Sequence, residues 1–228
     1  MALGHGPQFG DAVGAVPAFP TEFAELLRDY PILLKRNADD SGWEAFALLG
    51  FDRDENLLLQ DGCWEAAYLP GYVAKGPFLI GFQPRVEHGR EILEPVVHVD
   101  QDHPRVGARA GVPVFLPQGG QSPYLEYVIR VLRGIHDGVQ AAGRMYTEFD
   151  RLGLIQPVEL ELQFDATTSG RLTGFHAIDR ARLATLADAE VASLHRSGWL
   201  EGAYLMLASL HNVVRLVARK RARLAAQA

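Results

Sequence analysis

The chain has 228 residues, with 22 Lys and Arg against 28 Asp and Glu, a formal net charge of -6 and 48% apolar residues. This balance is that of an ordinary globular protein and excludes disordered, collagen-like and low-complexity chains. The acidic sign gives no electrostatic footprint for nucleic acid, and the single cysteine, Cys63, excludes an internal disulfide.

Met1–Pro20 carries no Lys or Arg and is cut by Gly4, Gly6, Pro7, Gly10, Gly14, Pro17 and Pro20, unlike a secretory leader. It reads as an extended or flexible start to a protein expected in the cytoplasm. Thr21 is placed to cap a short helix carrying Glu22, Phe23, Leu26 and Leu27, which stops before Tyr30-Pro31. Short apolar runs then recur between turn residues: Ile32–Leu34, Phe46–Leu49, Asn56–Leu59, Trp64–Leu69, Phe78–Phe82, Val96–Val99 and Val112–Leu116. That spacing predicts a mainly antiparallel sheet, with Asp61-Gly62 as its clearest tight hairpin turn.

Ser122-Pro123 opens a long helix, with serine as cap and proline at the first position. Leu125, Val128, Ile129, Leu132, Ile135, Val139, Ala142, Met145, Phe149 and Leu152 form one apolar stripe, and Gly153 ends it. Gly134, Gly138 and Gly143 weaken the helix and call for close approach of another backbone. Val158, Leu160, Leu162 and Phe164 alternate with polar residues as a strand with one wet face, and Arg171–Ile178 is its return partner. Thr185 with Asp188 resembles a capping box for a helix to about Arg196. The last helix, from Trp199, is apolar nearly all round to Leu210. Its basic end, Arg215, Arg219, Lys220, Arg221 and Arg223, suits the negative end of a helix dipole. The apolar windows Tyr72–Phe82 and Trp199–Val217 are interrupted by charge and fall short of the roughly 20 residues of a membrane span. The architecture read from these signals is a single α+β domain over residues 1–228: an N-terminal β-rich sheet, a long central helix, a hairpin and a C-terminal helical pair.

An ordered series of short motifs resembles the bacterial SapC family: Glu22-Phe23, Asp29-Tyr30-Pro31, Leu49-Gly50, Glu55-Asn56-Leu57, Trp64, Tyr68-Leu69-Pro70 and Pro77-Phe78. The series continues through Asp100-Gln101-Asp102, Leu172, Gly174-Phe175, Asp179, Arg196–Leu200, Tyr204, Ser209-Leu210 and Asn212, so it covers roughly residues 13 to 220. The family's name records an association with surface-layer systems, and its members often occur beside halogenase-like proteins, cupin-like oxygenases and outer-membrane receptors. The resemblance thus implies a non-enzymatic accessory or binding protein with a protein or peptide partner, linked to a surface-layer, uptake or peptide-modification system. Tyr30, Trp64, Tyr68, Phe78, Trp199 and Tyr204 are its large anchors. They suit core packing, and alternatively a proline- and aromatic-lined groove for a peptide.

No residue is assigned as catalytic, and no cofactor is required. The sharpest alternative is Val97-His98-Val99-Asp100, because residues two apart on a strand point the same way. With His176 as third ligand, His98 and Asp100 would make the two-histidine, one-carboxylate Fe(II) site of a 2-oxoglutarate oxygenase, with Arg180 or Arg182 on the cosubstrate carboxylate. Otherwise His98, Asp102 and His103 form a turn network. Cys63 reads as packing, the serines as caps and turns, Gly119–Ser122 lacks the phosphate-loop lysine, and Glu159 with Glu161 suits a solvated strand face.

Overall fold

A computed structural model describes the chain except residues 88–89, 108–110 and 227–228. Strand β1 (Ala15–Ala18) lies within the N-terminal stretch, followed by a single 3-10 turn and the one-turn helix α1 (Phe23–Leu26). Thr21 does not cap that helix. Its hydroxyl donates 2.9 Å to the Gly134 carbonyl on the long helix, and the turn is closed by Glu22 Oε1 accepting from the Phe19 N–H at 3.2 Å.

β2 (Ile32–Arg36) and β3 (Trp43–Leu48) form an antiparallel hairpin, and β1 pairs with the outer side of β3. The other side of β2 pairs with a C-terminal strand. Ile32, Leu33 and Leu34 are each at most 1% exposed, and such an unbroken apolar run suits a middle strand covered on both faces. The hairpin β8 (Ile155–Gln163) and β9 (Ser169–Ile178) therefore completes one antiparallel five-stranded sheet, ordered β1-β3-β2-β9-β8.

The residues between β3 and the long helix depart furthest from the regular sheet their spacing suggests. β4 (Leu59–Gln60) and β5 (Cys63–Trp64) are two residues each, joined by Asp61 and Gly62 at φ 49° and 78° as the tight turn requires. Asn56–Leu58 is not a strand because the Asn56 side chain, 4% exposed, donates to the Asp11 carbonyl and accepts from the Leu58 N–H. After Trp64 the chain turns into α2 (Gly71–Ala74). Val112–Leu116 contributes only a bridge between Phe115 and Gln121, since Pro113 and Pro117 supply no ladder donor. Phe78–Phe82 and Val96–Val99, by contrast, extend into the ten-residue strands β6 (Phe78–Glu87) and β7 (Arg90–Val99). These form a separate ribbon that pairs with itself alone.

The long helix α3 (Pro123–Arg151) begins as read, with Ser122 Oγ accepting from the Leu125 N–H at 3.2 Å. Its N-terminal half carries Leu125, Val128 and Leu132 against Phe78 at the ribbon's base, and its C-terminal half sends Met145, Tyr146 and Phe149 into the main core. A Cβ on Gly138 would sit 2.7 Å from Phe19 Cβ and 2.8 Å from Thr21 Oγ1, so a neighbouring segment does press on the helix there, through side-chain atoms and not the backbone expected. A Cβ on Gly134 or Gly143 would meet nothing within 4 Å outside the helix's own backbone.

α4 (Arg180–Ala184) is capped by Asp179, and α5 (Asp188–Arg196) follows. The Thr185/Asp188 box does not form. Thr185 Oγ1 donates to the Arg182 carbonyl, and Glu190 Oε2 accepts from the Ala187 N–H at 3.0 Å. The final helix is two helices, α6 (Trp199–Ser209) and α7 (Asn212–Ala225). Their break seats two buried polar side chains on the segment from Leu27 to Ile32. Ser209 Oγ accepts from the Ile32 N–H at 2.8 Å, and Asn212 Nδ2 donates to the Leu27 and Tyr30 carbonyls. The basic end of α7 clamps loops as well as facing water: Arg215 pairs with Asp29, Arg219 with Glu65, and Lys220 with Asp52 and Glu55. No helix among the described residues is long and apolar enough to cross a membrane.

Candidate functional site

The six aromatic anchors do not line one groove. Tyr30, fully buried, accepts a hydrogen bond from Trp64 Nε1 at 2.7 Å and donates to the Tyr68 carbonyl. Tyr68 in turn donates its hydroxyl to Glu22 Oε2 at 2.8 Å, which also accepts from the Gly71 N–H at 2.8 Å. These residues form one polar network under α1 and α2. Phe78 lies apart in the second core cluster, Trp199 packs half-buried on the main core, and Tyr204 is 56% exposed. Burial raises the Glu22 carboxyl above its ordinary value despite three hydrogen bonds that oppose the shift. Burial likewise pushes the Tyr30 and Tyr68 phenols far above theirs.

Polar residues of the family-like motifs share one task. Glu22, Asp29, Asn56, Asp179, Ser209 and Asn212 each hydrogen-bond backbone groups of loops or of the first residues of helices and strands, as where Asp29 Oδ2 accepts from the Ala67 N–H at 2.8 Å. Such side chains satisfy N–H and C=O groups that a helix or ladder would otherwise pair. The motifs therefore record how loops are pinned.

His98, Asp100 and His176 are not brought together. His98 lies on the ribbon, opposite Leu79, with its ring over the Gly81 backbone. His176 lies in the five-stranded sheet opposite Leu34. Among the described residues no group of three His, Cys, Asp or Glu side chains converges as a metal would need, so the residues present do not fit a facial iron site. His176 instead packs edge-on against Trp43 at 4.6 Å, and burial together with the Arg36 charge lowers its pKa. Asp100 Oδ1 accepts from the Asp102 N–H, and His103 Nδ1 from the Arg105 N–H, each at 3.1 Å. These residues form the turn network, without His98. Arg182 is committed to the Leu152 carbonyl.

Asp100 and His103 border a mixed-charge cleft of about 440 Å³ between the N-terminal segment, α2 and the ribbon's base. Its charges largely cancel. Arg105 and Asp11, each 6% exposed by side chain, form a 2.8 Å ion pair, and Lys75 lies over the Tyr72 ring. Burial lowers the Lys75 pKa.

The larger feature is apolar. Val158, Leu160 and Leu162 of β8 and Leu172 of β9 form the floor of a groove of about 890 Å³, whose wall is Val213 and Val217 of α7 with Leu207 of α6. Beyond α6 the edge of the sheet is uncovered, so side chains read in sequence as core-facing border open space. Leu160 is 37% and Val214 72% exposed. Alternation on β8 carried half of this signal, but which helix would leave it uncovered depends on the α6–α7 break, which the sequence reading missed. The lining includes Arg180, His211 and Arg221 and no carboxylate.

A family model described as SapC matches residues 1–216. No curated protein and no solved structure matches the chain.

Proposed function

The chain belongs to the SapC family, and on that premise we propose that it is a binding protein, an accessory to a surface-layer, uptake or modification system, whose ligand occupies the groove between β8–β9 and the C-terminal helices. One observation carries the reading: a concave space of about 890 Å³ lined mainly by aliphatic side chains. Ligand sites are typically clefts of roughly 300 to 1,000 Å³ with apolar walls and few polar groups. The alternatives in the fold are weaker, because the Tyr30–Trp64–Tyr68 network is a filled interior and the Lys75 cleft is nearly charge-balanced.

The test is binding of the neutral, environment-sensitive dye N-phenyl-1-naphthylamine. Saturable fluorescence enhancement by the intact chain, lost in a folded Leu160→Glu variant, supports the reading. A wild-type chain that gives no saturable enhancement refutes it.

A further inference from the structure

The rim of the groove carries more chemistry than a general apolar site needs. Arg180 is the first residue of α4, where the helix dipole disfavours a cation. The neighbouring Asp179 carboxylate is already occupied by the Ala181 and Arg182 N–H groups. Arg221 reaches back from α7 to donate 2.7 Å to the Gln163 carbonyl, which fixes its guanidinium beside β8 without neutralising it. Among the described residues no carboxylate pairs with either arginine. The acids of β8 turn to its other face, where Glu159 pairs with Arg171 at 3.0 Å. His211 also lines the groove, and its Nδ1 is spent on the Ala208 carbonyl.

The floor argues about the body of the ligand. β8 is the edge strand and keeps free N–H and C=O groups along its outer side, but the floor of the groove is the aliphatic face of β8 and β9, and α6 and α7 bond within themselves, so a polypeptide lying on that floor would bury N–H and C=O groups against aliphatic carbon. Unpaired buried polar groups are costly, whereas an alkyl chain has none. A trough between an extended strand and a straight helix is also linear, as an unbranched chain is.

We infer that the groove takes a single-chain anionic amphiphile: the alkyl chain lies over Val158, Leu160 and Leu162, and a carboxylate- or phosphate-type head meets the guanidinium at one end of the groove, Arg180 beyond the Ile155–Ile178 pair or Arg221 beside Gln163. This inference rests on the groove being the ligand site. Guanidinium is suited to such heads because its fork of donors matches two oxygens.

The test is competition for bound N-phenyl-1-naphthylamine by decanoate, 1-decanol and decyltrimethylammonium, each below its micellar concentration. Decanoate is expected to displace the dye at a concentration about tenfold lower than the other two, the ratio that one charge-assisted contact supplies. Arg180→Gln/Arg221→Gln is expected to erase that preference, with each competitor scored against the dye affinity measured for the variant itself and circular dichroism showing that the fold is kept. Equal competition by the three overturns the anionic head but leaves the groove as a binding site. A preference that survives the double substitution overturns the role of the two arginines. Failure of the dye to bind the wild-type chain overturns the groove reading itself, and with it this inference.

Discussion

Trp64 Nε1 donates to Tyr30 Oη at 2.7 Å, joining residues 34 apart in sequence. Tyr30→Phe removes that oxygen and leaves both the indole N–H and the Tyr68 carbonyl without their partner. Leaving a buried polar group unpaired costs about 1 to 3 kcal/mol. The expected outcome is a loss of that much unfolding free energy, read as a lower urea midpoint, with a change in Trp64 emission in the folded state. An unchanged midpoint would mean that this network adds nothing to stability.

Tyr146 gives the opposite sign. Its ring is 2% exposed, and its hydroxyl has no partner among the described residues. Burial holds its phenol far above the ordinary value because an anion there would be unsolvated. Tyr146→Phe removes an unpaired hydroxyl while keeping the ring, so stability should hold or rise by up to about 1 to 3 kcal/mol. A measured loss would reveal a hydrogen-bond partner for that hydroxyl.

Glu22 makes stability depend on pH. Its carboxyl is raised above the ordinary 4.5 chiefly by burial, so the folded state holds the proton at a pH where the unfolded chain has released it. Its contribution is fully present below 4.5 and is lost as pH rises through the raised value. The difference in unfolding free energy between wild type and Glu22→Gln should therefore fall as pH climbs from about 4.5 and then level off. A flat difference across that range would remove the argument.

How much of this was legible in the sequence depends on whether local or distant groups decide the outcome. Ser122-Pro123 and Asp61-Gly62 were readable because a cap and a tight turn are satisfied by neighbours within a few residues. Asn56 was not, because its amide finds the carbonyl of Asp11, 45 positions away, and so removes a strand that local pattern favours. His98 and His176 failed as a pair for the same reason: strand spacing says which way a side chain points but not which sheet it belongs to. The groove was half legible. β8 alternates as a one-faced strand should, but its cover depends on Ser209 and Asn212 docking on the segment from Leu27 to Ile32.

Gly138 and Gly143 on α3 separate propensity from packing. Both relieve the helix by about 1 kcal/mol when replaced by alanine. At Gly143 nothing lies within 4 Å of the new methyl, so Gly143→Ala should stabilise by close to that amount. At Gly138 the methyl would overlap Phe19 Cβ and Thr21 Oγ1, and overpacking typically costs about 1 to 3 kcal/mol. Gly138→Ala should therefore destabilise, with opposite shifts in thermal midpoint for the two variants. The same sign at both sites would show that the N-terminal segment yields to α3.

Asp11 and Arg105 form the most buried ion pair described, 2.8 Å apart, and Arg105 also donates to the Gly4 carbonyl and covers the Phe9 ring. Burial by itself would raise the Asp11 carboxyl, but the His5 ring nitrogen 3.3 Å away, the hydrogen bond from the Gly6 N–H and the Arg105 charge lower it below 3.8. Its stabilising contribution is therefore present above 3.8 and is lost as pH falls through the lowered value. Arg105→Met strands a buried carboxylate and should cost about 3 to 5 kcal/mol at neutral pH, whereas an apolar replacement of both partners is far milder. Arg105→Met/Asp11→Leu should thus be more stable than Arg105→Met alone, despite removing an additional native hydrogen bond to the Gly6 N–H. Urea denaturation of the two variants and wild type at pH 7 checks the order. If the double variant were the least stable, the pair would be worth more than the desolvation it costs, and the N-terminal segment would be held mainly by charge.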